Sequence, residues 1–444
     1  MADKAAKQDQ TVILVTGANS GLGFSICCRL ADEFLNASQS TAHQFLTIIF
    51  TTRSIRKGED TLHRLKDHLR STWTYSAAAT RVTFVPENVD LSNLLSVRAL
   101  SHRLQQTYSK LDAILLNAGV GGWTGIDWFR AIWDICTDPV HAVTWPAYKL
   151  APAGVVTDPQ TAQTEQEPRL GAVFCANVFG HYMLAHNVMP LLRRSDHPGR
   201  VIWVSSIEAT LKFFDVDDFQ GLRTITPYES SKALTDILAL TADLPSSAPW
   251  VKSFYGIDDN VPNNKDNDND NDHPLLSTPN MYLTHPGICG TSILPLPLPL
   301  FYLMLSAFWL ARLLGSPWHT LSTYMGACAP VWLALATQSG LDEAESPYRR
   351  HGGGRAKWGS SCGLFGPDRP ASTEVDGWGH GGVVGPAVVD EDRTRRRKRG
   401  AQDLTAEEKV NFEELGRKCW QQMEELRLQW DLLLDQAEEQ SGSN

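Results

Sequence analysis

The chain has 444 residues, 42% of them hydrophobic, and a formal net charge of −10. That length holds one large domain or two ordinary ones, and the apolar share supplies a sizeable core. The acidic balance excludes nucleic acid as a general partner, since phosphate binding needs a basic surface. The eight cysteines are scattered without the spacing of a zinc site or a redox pair, so they read as reduced thiols facing the cytosol, with no metal expected.

In chain order, the first seven residues are polar and lack the apolar stretch of a secretory leader. Residues 12–16 are a short apolar run ending at Gly17, a buried strand entering a turn. A helix over 21–35 follows, then a strand over 46–52, a helix over 55–69 and a strand over 82–86. A helix over 92–108 leads to a fourth strand at 113–116. A helix near 170–192 leads to a fifth at 201–205, and a helix over 228–243 precedes a sixth at 281–284. Strands alternating with helices predict an α/β fold, a Rossmann-like doubly wound parallel sheet covered on both faces. It spans residues 1–292, with insertions at about 120–169, rich in Trp and Pro, and 246–279. Within the second insertion, 258–273 is acidic and of low complexity, with nothing to bury.

Residues 293–340 begin with an uncharged run, 293–311. Pro295, Pro297 and Pro299 bar a regular helix at its start. The proline-free part, 300–314, rises only about 22 Å, short of the roughly 30 Å hydrocarbon core. Two compatible readings follow, a segment lying in a membrane interface and a buried lid over a substrate mouth. Residues 341–402, rich in Gly, Pro and charge, are expected to be an irregular linker. Its basic run, 393–399, reads as solvated, with contact to anionic lipid as the rival. A C-terminal helical extension closes the chain within 403–444, capped by Thr405 and Glu408. Phe412, Leu415, Cys419, Met423, Leu426, Trp430 and Leu433 recur along it at spacings of three and four. That stripe packs on the domain or on a partner helix.

Between the first strand and first helix lie Gly17, Ser20, Gly21, Leu22 and Gly23. Glycine lets backbone turn sharply and approach a pyrophosphate, and the helix N-terminus offers it free N–H groups. The end of the second strand selects the cofactor, and an acidic residue there binds the ribose of NAD. This chain instead has Arg53, with Arg56 and Lys57 nearby. A guanidinium suits a 2′-phosphate, which points to NADPH. Asp90 after the third strand is placed to contact the adenine, and Asn117 after the fourth to brace the sheet beside the nicotinamide ribose.

Tyr228 and Lys232, four apart on a helix, share one face. A cation near a phenol lowers its pKa, and such a tyrosine can protonate a carbonyl oxygen as hydride reaches the carbon. Ser205 and Ser206 end the fifth strand, where a hydroxyl could hold the ketone oxygen. Asn177 could anchor a proton relay from Lys232.

Together Thr16-Gly17-x-x-x-Gly21-x-Gly23, Asn117-Ala118-Gly119, Asn177, Ser206, Tyr228-x-x-x-Lys232 and His285-Pro286-Gly287 resemble the short-chain dehydrogenase/reductase family, in family order. The resemblance implies a catalytic set of Asn177, Ser206, Tyr228 and Lys232, the last two also touching the cofactor. It further implies that Cys289 meets the nicotinamide carboxamide through its backbone, with Thr291 beside it. The 22-residue gap from Ser206 to Tyr228 is long for the family, which keeps Ser205 and Thr210 as rivals for the serine role. The stretch from Asn117 to Gly125, the Trp-rich insertion, the segment 214–219, residues 326–334 and the tail 416–420 resemble the 3-ketosteroid reductases of fungal sterol C-4 demethylation. That likeness implies NADPH-driven reduction of a 3-keto sterol to the 3β-alcohol. It implies an address at the cytosolic face of the endoplasmic reticulum membrane or the lipid droplet, beside the C-4 methyl oxidase and C-4 decarboxylase. Rivals are a reductase of another lipophilic carbonyl, such as a 17-ketosteroid or retinoid, and a non-catalytic NADPH-binding scaffold.

Overall fold

A computed structural model describes residues 10–37, 44–73, 77–161, 167–257, 277–291, 293, 296–365 and 367–442. The polar start and the acidic stretch 258–273 lie outside the described residues.

Apolar runs at β1 (Gln10–Val15), β2 (Phe45–Thr52), β3 (Val82–Asn88) and β4 (Ala113–Leu116) form half of one sheet. After a two-stranded hairpin of β5 (Gly125–Ile126) and β6 (Lys149–Leu150), the sheet resumes with β7 (Arg200–Val204) and β8 (Asn280–His285). It continues through β9 (Lys357–Cys362) and β10 (Asp368–Thr373). The order is β10-β9-β8-β7-β4-β1-β2-β3, parallel throughout except for β10. The order reverses between β1 and β4, so their carboxyl ends open a crevice, the place where such sheets bind ligands.

Helices cover both faces. Gly21–Ala37, Ile55–Thr72 and Cys328–Leu335 contribute to one core, with Ile26, Leu65 and Val331 buried. Leu94–Thr107, Gly180–Asn187 and Pro227–Thr241 contribute to the other, through Leu100, Leu184 and Leu238. The tail helix, Ala406–Gly442, lies outside Pro227–Thr241, and its stripe packs on the domain as the first of the two readings had it. Trp420, Met423 and Trp430 join the second core, and the Trp420 indole donates to the Leu238 carbonyl at 3.2 Å. Each large apolar side chain so buried contributes about 1.5–3 kcal/mol. The cap forms reciprocally: Thr405 Oγ1 accepts from Glu408 N at 3.1 Å, and Glu408 Oε2 accepts from Thr405 N at 2.8 Å.

Residues 341–402 are not an irregular linker. They carry most of the helix Gln338–Arg350, β9 and β10, so the sheet runs well past residue 292. These strands are polar because their hydroxyls and carbonyls are matched inside the fold. Ser360 Oγ donates to the Gly326 carbonyl at 2.7 Å and accepts from Ala329 N at 2.9 Å, and Thr284 Oγ1 donates to the Trp358 carbonyl at 2.7 Å. The basic run is solvated in part and clasped in part: Arg393, Arg396 and Arg399 are exposed, while Arg395, Arg397 and Lys398 are half-buried. Arg395 pairs with Asp392, Arg396 with Asp138, Arg397 with Glu374 and Asp403, and Lys398 with Asp376. The helix expected near 170–192 is interrupted by a wider π-type turn at Cys175–Phe179. Residues 298–313 form the helix Leu298–Leu313, and no helix among the described residues is long and apolar enough to cross a membrane.

Candidate active site

The glycine turn leaves β1 at the crevice. Gly17 has φ 69°, and a Cβ there would lie 2.7 Å from the Ala118 Cβ. At Gly23 a Cβ would lie 2.2 Å from the Gly17 carbonyl oxygen, so only hydrogen lets the first helix close on the turn. Thr16 Oγ1 accepts from the backbone N–H groups of Asn117 and Ala118 at 2.9 and 3.1 Å, and Asn117 Nδ2 donates to the Thr16 carbonyl at 2.9 Å. These bonds fix the ends of β1 and β4 side by side. Ser20, Gly21 and Leu22 line the same crevice, as do Asp90, Cys289 and Thr291. Asp90 Oδ1 accepts from Ser92 N at 2.9 Å. Burial pushes the Cys289 thiol up to about 12, so it stays protonated. Arg53 is exposed at the crevice edge and makes no hydrogen bond or ion pair among the described residues.

Tyr228 and Lys232 enter on the helix Pro227–Thr241, which Pro227 starts with its preset φ. Both are buried, at 8% and 5% exposure. The Lys232 ammonium donates to the Val204 carbonyl at 2.8 Å and lies 5.8 Å from the centre of the Tyr228 ring. Burial lowers Lys232 to about 8, against the opposing pull of Asp236. The expected lowering of the phenol does not prevail in the protein alone. Burial raises Tyr228, Glu208 adds to the rise, and the Ser206 hydrogen bond works the other way.

The three candidates for the serine role separate cleanly. Ser206 lines the cavity with Tyr228 and opposes the rise of its phenol, and its Oγ accepts from Glu208 N at 3.1 Å. Ser205 turns into the body, its hydroxyl donating to Asp236. Thr210 donates to Asp376, away from the phenol. Asn177 sits in the π-type turn, a local widening common at functional sites. Its Oδ1 accepts from Val120 N at 2.8 Å, and its Nδ2 donates to the Val120 carbonyl at 3.0 Å and to Ser231 Oγ at 3.1 Å. A side chain at Gly119 would point between Asn177 Oδ1, 3.2 Å away, and Lys232 Nζ, 4.0 Å away.

Sequence reasoning missed a charged group beside the phenol. Lys149, on β6 of the insertion, pairs with Glu208 and lies 3.9 Å from the centre of the Trp123 ring, which packs 4.7 Å from Tyr228. Burial raises Glu229 to about 7, against the pull of Lys149. Glu208 follows Ser206 by two residues, but nothing in the local sequence pairs it with a lysine 59 positions earlier.

Crevice and catalytic pair share one cavity of about 750 Å³. Its far end is apolar, walled by Trp128, Ala131 and Ile135 of the helix Trp128–Thr137 and by Leu300, Leu303, Met304 and Phe308 of Leu298–Leu313. Outside the cavity the same two helices expose Phe129 at 91%, Trp133 at 70% and Tyr302 at 64%.

A glycine turn at the switch point, with a tyrosine and lysine beside a serine turn, defines a short-chain dehydrogenase/reductase, whose crevice takes a nicotinamide dinucleotide. The cradle fits such a group: Gly17, Ser20, Gly21 and Leu22 line it without bulk, and it ends at the N-terminus of the helix Gly21–Ala37. No family model matches the chain. It is 68% identical to the 3-keto-steroid reductase of Aspergillus fumigatus over 454 residues, covering 100% of both chains. It is 39% identical to that of Gibberella zeae, over 97% of this chain and 96% of the other, and 33% identical to that of Schizosaccharomyces pombe, over 82% and 90%. The chain belongs to the fungal 3-keto-steroid reductase family.

Proposed function

We propose that this protein reduces the 3-keto group of a sterol intermediate to the 3β-alcohol in sterol biosynthesis, with NADPH as reductant. The observation that carries this reading is that Ser206, Tyr228 and Lys232 line one cavity whose far end is apolar. A sterol offers one polar end and a rigid apolar body, and the cavity offers the matching division. The name shared by relatives that match over most of their length favours a 3-keto sterol over a 17-ketosteroid or retinoid. The intact hydroxyl pair and lysine favour chemistry over a scaffold role.

NADPH, when bound, supplies the hydride that reaches the carbonyl carbon. Ser206 holds the carbonyl oxygen, and Tyr228 gives that oxygen its proton. The raised phenol of Tyr228 keeps the proton in place until charge develops on the substrate oxygen. Lys232 faces the ring, and the proton that replaces the one Tyr228 gives up comes in from the Asn177 side through the gap at Gly119 by way of Lys232. Arg53, unpaired at the crevice edge, meets the 2′-phosphate, which selects NADPH over NADH. Gly17, Ser20, Gly21, Leu22 and Gly23 cradle the pyrophosphate, Asp90 and Asn117 flank the adenosine and nicotinamide ribose, and Cys289 and Thr291 flank the carboxamide.

The exposed apolar faces of Trp128–Thr137 and Leu298–Leu313 rim the substrate end of the cavity. That placement supports docking on the cytosolic face of the endoplasmic reticulum membrane or on a lipid droplet, where a sterol enters without crossing water. The C-4 methyl oxidase and C-4 decarboxylase of the same reaction sequence are partners on this reading. The test is turnover of the full chain with NADPH and a 3-keto-4-methyl sterol in detergent, with product identified by mass spectrometry. The 3β-alcohol is expected. NADPH binding without alcohol would overturn the reading.

A further inference from the structure

A buried ion pair lies behind the site and is not used by the mechanism above. Asp236 follows Lys232 by one helical turn, on the same face of Pro227–Thr241. Its Oδ1 accepts from the Ser205 hydroxyl, and its Oδ2 accepts from the Lys357 ammonium at 2.5 Å. Lys357 begins β9, in register with Leu283 of β8, and also donates to the Ser206 carbonyl at 2.7 Å. Lys357, Asp236, Ser205 and Lys232 are 3%, 2%, 4% and 5% exposed, so all four are shut away from water.

We propose that Lys357 and Asp236 are positioning residues, which clamp the Ser205–Ser206 turn against the catalytic helix and set the charge balance around Lys232. This rests on the reaction proposed above. As a stability device the pair is weak, because desolvating two charges offsets much of their attraction. What it supplies is direction. One carboxylate holds the Ser205 hydroxyl, so that hydroxyl turns away from the cavity while the next residue, Ser206, faces Tyr228. One ammonium ties the Ser206 carbonyl to β9, so the turn cannot rotate without breaking a buried charged contact.

The pair also acts on Lys232 with two signs. Burial lowers Lys232, Asp236 raises it, and Lys357 lowers it further. The other titratable groups facing Lys232 are Tyr228, on its own helix, and His181, which burial lowers to about 3 and so keeps neutral.

The two signs separate an electrostatic role from a merely structural one. The measurement is the pH profile of kcat for 3-keto sterol reduction by the full chain, with thermal unfolding run on each variant. Lys357→Met removes the lowering cation, so the alkaline limb moves up by about one pH unit. Asp236→Asn removes the raising anion, so its limb falls below that of Lys357→Met. Both lose kcat through a loosened Ser206. Loosening alone would let water in and raise both limbs toward the ordinary lysine value. A limb for Asp236→Asn that is not below that of Lys357→Met therefore overturns the inference. If Lys357→Met does not fold, Lys357→Arg carries the test: it keeps the cation, so the limb stays in place while kcat falls, and a displaced limb overturns the inference. The pH midpoint of NADPH affinity, read by fluorescence, gives the same ordering without a sterol. Failure of the sterol reading thus leaves this one independently decided.

Discussion

Arg53→Ala isolates the choice of cofactor. The side chain is exposed and makes no hydrogen bond or ion pair among the described residues, so removing it should leave the melting temperature unchanged. All of its effect then falls on binding. A charge-assisted hydrogen bond contributes about 1.5–3 kcal/mol. Solvent screening at the crevice edge argues for the lower part of that range, about 1.5–2 kcal/mol. At about 1.4 kcal/mol per decade, NADPH affinity should weaken roughly 10- to 30-fold. NADH has no 2′-phosphate and should bind as before. Fluorescence titration of both cofactors against wild type and variant gives the ratio directly, and raised salt should shrink it, because an exposed charge is screened. Equal losses for NADPH and NADH would refute the assignment, and Arg56 or Lys57 would be tested next.

Tyr228→Phe keeps the ring that packs on Trp123 but loses the proton donor; steady-state kinetics should show kcat down about 10²–10⁴-fold with NADPH affinity preserved. Because burial lowers Lys232 to about 8, it is charged below that pH and loses its proton above it, so kcat/KM should fall on the alkaline side near that value; a profile flat to pH 10 would show that its charge is not needed. Trp420→Ala removes a fully buried indole and its bond to Leu238, and urea unfolding should show a loss of about 3–5 kcal/mol. Phe129→Glu with Tyr302→Glu should release the protein from vesicles in a flotation assay while turnover in detergent persists, since neither residue lines the cavity.

Six strands of the sheet, β1–β4 with β7 and β8, were legible: all but the edge strand β3 are apolar runs bounded by a turn, the signature of a strand buried on both faces, and β3 still alternates buried and exposed residues. The glycine turn and the Tyr228–Lys232 spacing were legible because they are local. The strands β9 and β10 were not. Lys357-Trp-Gly-Ser-Ser-Cys362 carries no apolar periodicity, and its place in the sheet depends on partners such as Gly326 and Ala329 that are close only after folding. The clasped part of the basic run misled for the same reason. Its charges looked solvated because Asp138, Glu374 and Asp376, which neutralise them, lie up to 258 residues away. The choice between Ser205 and Ser206 depends on Asp236, whose bond to Ser205 spans 31 residues and leaves no local trace.

These long-range groups share a physical task. A phenol buried at 8% exposure keeps its proton, but it must also part with it when an oxygen in the cavity becomes basic. Raising Tyr228 by burial alone would favour holding. Two cations stand near the ring: Lys232 from the catalytic helix, 5.8 Å from its centre, and Lys149 from the insertion, 5.6 Å from it. Each cation is restrained by a carboxylate, Asp236 in one case and Glu208 in the other, so neither adds a full unbalanced charge to a closed cavity. Such a balance cannot be built from the helix that carries Tyr228 and Lys232. Lys149 comes from the first insertion and Lys357 from the strand beyond residue 292, so on the proposed mechanism those added segments take part in the chemistry as well as in the shape of the cavity.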